Sequence, residues 1–301
     1  MKIIILGYSS LVGMAVSKYY TNNNDVDLVR VGRSDKGIHS NFEYYSVPND
    51  IKEIANSIDD LLDRISLQED SVIINCISVG DVDQCELHKE ECDLINYLFV
   101  KTLYKKIIKY NFKRFIHFSS NAVYSGDNAP YDELSKCSPV NYYGEVKLKS
   151  DNFLLSKKDK RVTVVRPITL YGIVPHKGRD NPVSMIVNRL NNGDSVNLVN
   201  DIYVNILFVN DLIKVINKII EIDFYGLINV SGDVVYSRYE LGIELAKLMN
   251  KNANLVKSIS SNDFNTLAKR PKNTSFDNSI MKSLGVFPTS LKESLDLIGV
   301  I

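Results

Sequence analysis

The amino-acid sequence predicts an α/β protein built on a doubly wound parallel sheet, with a smaller lobe interleaved at its C-terminal side. Two observations support this fold class. Short runs of β-branched residues alternate with longer amphipathic runs over the first 170 residues, which is the order expected when helices connect parallel strands. Most of the short runs are apolar throughout, as strands covered on both faces are.

Each element of the first domain is predicted from its own pattern of apolar residues. Right-handed crossovers are expected between successive parallel strands. The predicted strands cover 2–6, 26–31, 42–47, 71–77, 114–120 and 162–167. The predicted helices between them include 11–20, 51–65, 89–110 and 143–157.

After Pro167 the alternation loosens, which indicates that the chain enters a second lobe. We expect a first domain over 1–170 and a substrate lobe mainly over 171–301. Parts of 195–235 are expected to join the first sheet, because "LINVS" (227–231) has the composition of a core strand. The lobe is predicted to contain helices at 183–192, 211–221 and 238–249, a last helix after the capping box at 290–293, and strands at 195–199 and 203–209.

The charge balance and the apolar runs exclude several functions. Lys and Arg number 36, as do Asp and Glu, so the formal net charge is zero. A neutral chain offers no bulk field to nucleic acid or to an anionic membrane surface. The apolar run before Gly7 is too short for a signal peptide, and no apolar run reaches the length of a membrane span. We therefore expect a soluble protein that binds neither nucleic acid nor membrane.

The cysteines and histidines predict no metal site. The four cysteines have no CxxC spacing, which argues against a zinc site and against a disulfide framework. The four histidines lack pairing at i, i+4. We expect a reducing, cytoplasmic location and no bound metal.

A turn between the first strand and the first helix predicts dinucleotide binding. Gly7 would form the tight turn, the small Ser10 would let a pyrophosphate approach the backbone amides, and Gly13 would allow close packing of helix on strand. The helix N-terminus adds partial positive charge. This turn predicts a Rossmann-type domain, with a plain strand–turn–helix as the alternative. Because Ser10 replaces a glycine usual at this position, a wider turn and weaker pyrophosphate binding are also expected.

The end of the second predicted strand indicates which dinucleotide is bound. Arg33 and Ser34 lie about 20 residues after Gly13, where NAD-binding proteins often carry an acid. An arginine at this position can pair with the 2′-phosphate of NADP(H). NADP(H) is therefore the favoured cofactor, and NAD(H) remains the alternative because Asp35 is close by.

Serine, tyrosine and lysine residues predict the catalytic chemistry. Ser119 and Ser120 end the fifth predicted strand, at the edge where doubly wound sheets bind ligands, and one of them is expected to contact substrate. Tyr143 and Lys147 share a helix face, whereas Tyr142 points elsewhere. An ammonium beside a phenol lowers its pKa towards neutrality, so the pair suits a general acid and the group that tunes it.

These motifs, taken together, resemble a known family. "GYSSLVG", "SSNAVY" and "YYGEVK" occur in the order found in the extended short-chain dehydrogenase/reductase family. The stretches 72–86, 95–103 and 268–285 are similar to its dTDP-4-dehydrorhamnose reductase branch. The resemblance implies that Ser120 hydrogen-bonds the reacting carbonyl, Tyr143 is the acid and Lys147 holds the nicotinamide ribose. It also implies cofactor contacts for Gly7, Ser10, Leu11, Val12, Gly13, Ser78 and Pro167, a bracing role for Asn96 and a substrate contact for Arg270.

The expected function is NADPH-dependent reduction of a keto group on a nucleotide-linked deoxysugar. Two alternatives stay open: a nucleotide-sugar epimerase with bound NAD, and a non-catalytic regulatory subunit that binds NADP. The segment 200–210 lacks a proline–threonine pair expected of the rhamnose-pathway reductase, which leaves the sugar undefined. The expected partner is a nucleotide-sugar substrate, and a homodimer is left open.

Overall fold

The computed structural model of the protein describes residues 1–21, 23–33, 42–172, 180–263 and 266–301. Its strands are β1 (Lys2–Leu6), β2 (Asp27–Gly32), β3 (Phe42–Tyr44), β4 (Val72–Asn75), β5 (Arg114–Phe118), β6 (Val162–Pro167), β7 (Leu170–Tyr171), β8 (Val196–Val199), β9 (Tyr203–Val204), β10 (Leu207–Phe208), β11 (Gly226–Val230), β12 (Tyr236–Ser237) and β13 (Val256–Ile259). Its helices are α1 (Leu11–Tyr20), α2 (Ile51–Ile65), α3 (Val82–Leu87), α4 (Lys89–Asp93), α5 (Phe99–Ile107), α6 (Tyr142–Ser156), α7 (Pro182–Asn191), α8 (Val209–Glu221), α9 (Arg238–Leu248), α10 (Ser279–Ser283) and α11 (Leu291–Leu297).

A seven-stranded parallel sheet in the order β11-β6-β5-β4-β1-β2-β3 forms the centre of the molecule. Successive residues of β1 point to opposite faces. Ile3 and Ile5 pack with α1 and α8, whereas Ile4 and Leu6 pack with α2 and α5. Helices thus cover both faces of the sheet, and the predicted doubly wound α/β fold is confirmed.

The C-terminal half of the chain returns to this sheet. β11 pairs in parallel with β6, with Leu227 opposite Val164, so the predicted addition of 227–231 to the main sheet is confirmed. Three two-stranded pairs, β7 with β10, β9 with β12 and β8 with β13, lie outside it. The main sheet therefore ends in a strand that comes from beyond residue 195.

The helix ends follow the capping residues in the sequence. Helices α1 and α2 have the predicted bounds. Ser237 and Glu240 form the predicted capping box of α9, and Ser290 accepts a hydrogen bond from the Glu293 amide at the start of α11. No helix in the described part of the chain is both long and apolar enough to span a membrane.

Several predicted elements differ in extent from the structure. The strands predicted over 71–77 and 114–120 are shorter, at Val72–Asn75 and Arg114–Phe118, and three further differences have a clear structural cause. The helix predicted over 89–110 is divided into α4, a π-helical turn at Leu94–Leu98 and α5, which ends at Ile107. β3 stops at Tyr44 instead of residue 47, because it is the sheet's edge strand and pairs only with the last residues of β2. The strand predicted over 203–209 is broken at the buried Asn205, whose side chain bonds Gly232 and Phe276 instead of continuing a ladder.

Candidate active site

The predicted site residues lie at one edge of the sheet. Gly7 follows β1, Ser78 lies beyond β4, Ser120 lies beyond β5, and Pro167 ends β6. Because all these strands are parallel, their carboxyl ends meet at the same edge, where open α/β sheets bind ligands. The topology therefore brings together residues that are up to 160 positions apart.

The turn after β1 requires glycine at two positions. Gly7 has a φ of +79°, and a Cβ atom on it would lie 2.9 Å from the backbone of Cys76. A Cβ atom on Gly13 would lie 2.6 Å from the carbonyl oxygen of Gly7. The first glycine therefore allows the left-handed turn, and the second allows α1 to pack against it.

Ser10 is the N-cap of α1. Its hydroxyl accepts a hydrogen bond of 3.0 Å from the Gly13 amide, so the serine fixes the turn by capping the helix. Leu11 and Val12 are the first two residues of α1, and their amides belong to the group of helix N–H bonds that have no partner within the helix. Two amides, a positive dipole end and two obligatory glycines fit the pyrophosphate of a dinucleotide.

The residues expected to select the 2′-phosphate are only partly described. Arg33 directly follows β2, and its side chain is exposed. Ser34 lies outside the described residues. An exposed guanidinium at this edge of the sheet is accessible to an anionic group of a ligand.

The two serines after β5 have different roles. The Ser119 hydroxyl is buried and donates a hydrogen bond of 2.8 Å to Oδ2 of Asp151. Ser120 begins the short 3₁₀ turn Asn121–Val123, where its Oγ accepts from the Ala122 amide at 3.1 Å. The Ser119 hydroxyl is therefore already bound to Asp151, and Ser120 is the serine whose hydroxyl lies near Tyr143.

Helix α6 separates the two tyrosines as the spacing predicts. Tyr143 is only 9% exposed and packs with Ala122 and two buried cysteines. The Tyr142 hydroxyl instead donates to Oδ2 of Asp93 at 2.7 Å. Asn141 caps the helix by accepting from the Gly144 amide at 2.9 Å, which fixes the first turn containing Tyr143.

The pKa of Tyr143 shifts in the direction opposite to the prediction. Burial raises it from 10.0 to about 12, while the nearby hydroxyls of Ser120 and Ser78 act to lower it. The charge on Lys147 favours phenolate, but the loss of solvent around the buried phenol disfavours it more strongly. The phenol consequently stays protonated near neutral pH, which is the form that a general acid needs.

Lys147 is buried beside the tyrosine. It is 2% exposed, and its Nζ lies 5.9 Å from the centre of the Tyr143 ring and donates to the Phe118 carbonyl oxygen at 2.7 Å. Burial lowers the pKa of Lys147 to about 8, and Asp151 acts most strongly in the opposite direction. Lys147 is therefore a cation held in a poorly solvated position at the end of β5.

Asn96 braces the site from the π-helical turn. Its Oδ1 accepts from the Ser78 hydroxyl and from the Val79 amide, both at 2.9 Å. Its backbone carbonyl accepts from Ser150 of α6. A π turn shifts backbone carbonyls away from the regular i→i+4 pattern. The backbone carbonyl of Asn96 bonds α6 while its side chain bonds the loop after β4, so the π turn connects these two parts of the site.

Arg270 lies in the segment that crosses the N-terminus of α6. Its Nη2 forms an ion pair of 3.0 Å with Asp83 of α3, and Asn141 donates to the carbonyl oxygen of neighbouring Lys269 at 2.9 Å. The side chain remains 30% exposed. Arg270 is thus held close to the turn that carries Tyr143, already paired with a carboxylate.

Three residues at the site were not predicted from the sequence. Asn141 is recognisable as an N-cap only once the start of α6 is known. Gly144 lets α6 approach the backbone of Ala122, since a Cβ atom there would overlap the Ala122 carbonyl oxygen. Asp151 is one helical turn beyond Lys147 and completely buried, which the sequence indicates only through its i, i+4 spacing.

Comparison with known proteins shows the family to which this chain belongs. The model of the RmlD substrate binding domain family matches residues 1–298. The dTDP-4-dehydrorhamnose reductase of Aggregatibacter actinomycetemcomitans is 24% identical over 307 residues, covering 98% of this chain and 97% of the relative. Methionine adenosyltransferase 2 subunit beta of Mus musculus is 26% identical over 305 residues, covering 98% of this chain and 87% of the relative.

A solved structure shares the fold over the same length. The crystal structure of dTDP-4-dehydrorhamnose reductase from Bacillus anthracis in complex with NADP superposes with a TM-score of 0.81 at 22% identity, covering 99% of this chain and 98% of that one. The motif resemblance seen in the sequence is confirmed by the family match. This protein belongs to the RmlD substrate binding domain family, within the extended short-chain dehydrogenases/reductases.

Proposed function

We propose that this protein is an NADPH-dependent reductase that converts a keto group on a nucleotide-linked deoxysugar to a hydroxyl. The observation that carries the proposal is the convergence of Ser120, Tyr143 and Lys147 at the carboxyl end of β5, on the same sheet edge as the glycine turn after β1. The family match and the reductase relative support this function over the two alternatives. The cofactor, when bound, supplies the hydride.

The residues of the site divide the remaining work. Tyr143 would donate its phenolic proton to the oxygen of the carbonyl as negative charge develops there. Ser120 would donate a second hydrogen bond to the same oxygen. Lys147 would hold the ribose of the cofactor and, as a cation, stabilise the phenolate left after proton transfer. A phenol kept protonated by burial suits reduction, in which the proton moves from enzyme to substrate.

Cofactor and substrate would bind on different parts of the chain. We assign the dinucleotide to 1–170, with Gly7, Ser10, Leu11, Val12, Gly13, Arg33, Ser34, Ser78, Lys147 and Pro167 as its contacts. The substrate lobe would be mainly 171–301, with Arg270 facing the nucleotide or diphosphate. The position of β11 in the main sheet supports an interleaved arrangement. Exposed Arg33 favours NADP(H) over NAD(H).

Incubation with a panel of nucleotide-linked 4-keto-6-deoxysugars, followed by NADPH absorbance, tests the proposal. A reductase consumes one NADPH for each sugar reduced. An epimerase purifies with bound NAD and shows no net consumption. Failure of every sugar in the panel to oxidise NADPH, in a protein that binds NADPH, would overturn the reductase assignment.

The second candidate is a regulatory subunit that binds NADP without turnover. The similarity to methionine adenosyltransferase 2 subunit beta favours it. Co-purification with an enzyme whose kinetics change on adding this protein, together with no oxidation of NADPH, would support it. A cytoplasmic location and a homodimer stay predictions under either function.

A further inference from the structure

A buried ion pair beside the proposed site has no role in the mechanism above. Asp151 and Arg166 are 0% and 3% exposed, and Nε of Arg166 donates to Oδ2 of Asp151 at 2.9 Å. The same oxygen accepts from the Ser119 hydroxyl at 2.8 Å. Removing two charges from water is costly, and the attraction within a buried pair often does no more than offset that cost. The pair therefore invites a functional explanation.

The hydrogen bonding of Asp151 is incomplete on the side not used by Arg166. Its Oδ1 is buried and has no hydrogen-bond partner among the described residues. Lys147 lies one helical turn before it on the same face of α6. An ammonium can donate three hydrogen bonds, and Nζ of Lys147 makes one to the Phe118 carbonyl oxygen. An incompletely bonded carboxylate and an incompletely bonded ammonium are thus buried on the same face of one helix, one turn apart and without a direct ion pair between them.

We propose that Asp151 is a positioning residue whose carboxylate is the counter-charge of the buried Lys147 ammonium, keeping it charged while it acts on Tyr143 and the cofactor. The catalytic part of this inference rests on the proposed reductase function. The charge state of Lys147 does not depend on that function, because it is a property of the folded chain. Arg166 and Ser119 then hold the carboxylate in place.

The other titratable groups around Lys147 lie on β5, α3, α4 and α6 and in the loop after β4, and they contribute less than Asp151. Burial keeps His117 of β5 neutral by lowering its pKa, and burial raises the pKa of Cys76 to about 12. The hydrogen bond between Cys85 and Cys92 raises the pKa of Cys85 and lowers the pKa of Cys92. Cys92 is therefore the thiol that loses its proton most easily and the competing source of negative charge, whereas burial keeps Tyr143 protonated.

The protonation of Lys147 can be measured without cofactor or substrate. Protein labelled with ¹³C at the lysine ε carbon is titrated by NMR, and Lys147→Met assigns the signal. In Asp151→Asn we expect the titration midpoint of Lys147 to fall by about 1 pH unit or more, as for the loss of an opposite charge nearby. Asp151→Glu is expected to restore the wild-type midpoint.

Two variants serve as controls. Asp211→Asn removes another fully buried helix carboxylate, on α8, and should leave the midpoint of Lys147 unchanged. Cys92→Ser tests the competing counter-charge and should shift the midpoint less than Asp151→Asn does. If Asp151→Asn leaves Arg166 unpaired and fails to fold, the double variant Asp151→Asn/Arg166→Gln removes both charges. Its Lys147 midpoint should also fall, because Asp151 is the largest contributor that raises the pKa of Lys147.

The inference is overturned if the midpoint of Lys147 stays at the wild-type value in folded Asp151→Asn and in folded Asp151→Asn/Arg166→Gln. It is also overturned if Cys92→Ser shifts the midpoint more than Asp151→Asn does. In the reductase assay, the alkaline limb of the kcat profile should move to lower pH with the NMR midpoint. A shifted NMR midpoint in a protein that reduces no keto sugar would refute the proposed function and leave the role of Asp151 in charging Lys147 intact.

Discussion

At the scale of single residues, burial decides the chemistry of the site. Tyr143 and Lys147 are a phenol and an ammonium four positions apart, and their charges alone predict a lowered phenol pKa. Removal from solvent instead raises the pKa of Tyr143 and lowers that of Lys147. Each group is thereby pushed towards its neutral form, and the acid is available for reduction at neutral pH.

Burying Lys147 should cost stability in a pH-dependent way. The pKa of Lys147 is about 8 in the folded protein and near 10.5 in the unfolded chain. Between these values the unfolded state binds more protons, so the contribution of Lys147 to the free energy of unfolding rises with pH. Lys147→Met removes this term. The stability of wild type relative to Lys147→Met should therefore increase by about 2 kcal/mol between pH 7 and pH 10.

Urea unfolding of both proteins at pH 7 and pH 10 measures this difference. Ionisation of Tyr143 affects both proteins and largely cancels in the comparison. A difference in stability that is the same at both pH values would show that Lys147 titrates normally in the folded protein.

At the scale of elements, the start of α6 determines where Tyr143 lies. Asn141 caps the helix, and Gly144 lets its first turn touch the 3₁₀ turn that begins at Ser120. The sequence predicted the helix and the shared face of Tyr143 and Lys147 from spacing alone. It did not predict this contact, because the need for a glycine at 144 comes from a neighbouring backbone that only the tertiary structure brings close.

Gly144→Ala should therefore impair both stability and activity. The added methyl group would overlap the Ala122 carbonyl oxygen and push α6 away from Ser120. Overpacking of this kind costs about 1–3 kcal/mol. We expect a loss of that size in urea unfolding, together with a fall in kcat for the reductase.

Gly80→Ala is the matched control, because no atom lies within 4 Å of the methyl group it would add. It should unfold at the wild-type urea concentration. Equal stability and equal kcat in Gly144→Ala and wild type would contradict the proposed contact between the two turns.

Secondary structure was predicted well where the local sequence pattern determines the element. It was predicted poorly where contacts with distant residues determine it. Helices α1 and α2 are amphipathic and have clear caps, and their bounds match the prediction. The helix predicted over 89–110 fails at the π turn, where Asn96 bonds Ser78 and Ser150 across the site. The prediction of a strand over 203–209 fails at Asn205 for the same reason. The side-chain amide of Asn205 donates to the backbone carbonyls of Gly232 and Phe276, which are distant in sequence.

At the scale of the whole molecule, the parallel sheet explains how distant motifs form one site. Gly7, Ser78, Ser120 and Pro167 follow or end four neighbouring strands, β1, β4, β5 and β6. The alternation of strands and helices predicts parallel strands, whose carboxyl ends share one edge of the sheet, so the convergence of these residues could be predicted as well. Arg270 could be placed near the site only by resemblance, because the segment that carries it joins the site through contacts with Asp83 and Asn141.

We propose that the Tyr143 hydroxyl is the proton donor at this sheet edge. The adjacent Tyr142 provides a matched control, since it has the same side chain on the same helix turn but bonds Asp93. The most direct measurement is the rate of NADPH oxidation by Tyr143→Phe and Tyr142→Phe with a reducible nucleotide-linked keto sugar, alongside the Kd for NADPH. We expect Tyr143→Phe to lose a factor of about 10² to 10⁴ in kcat with NADPH affinity retained, and Tyr142→Phe to keep near wild-type turnover. Near wild-type kcat in Tyr143→Phe would contradict the claim.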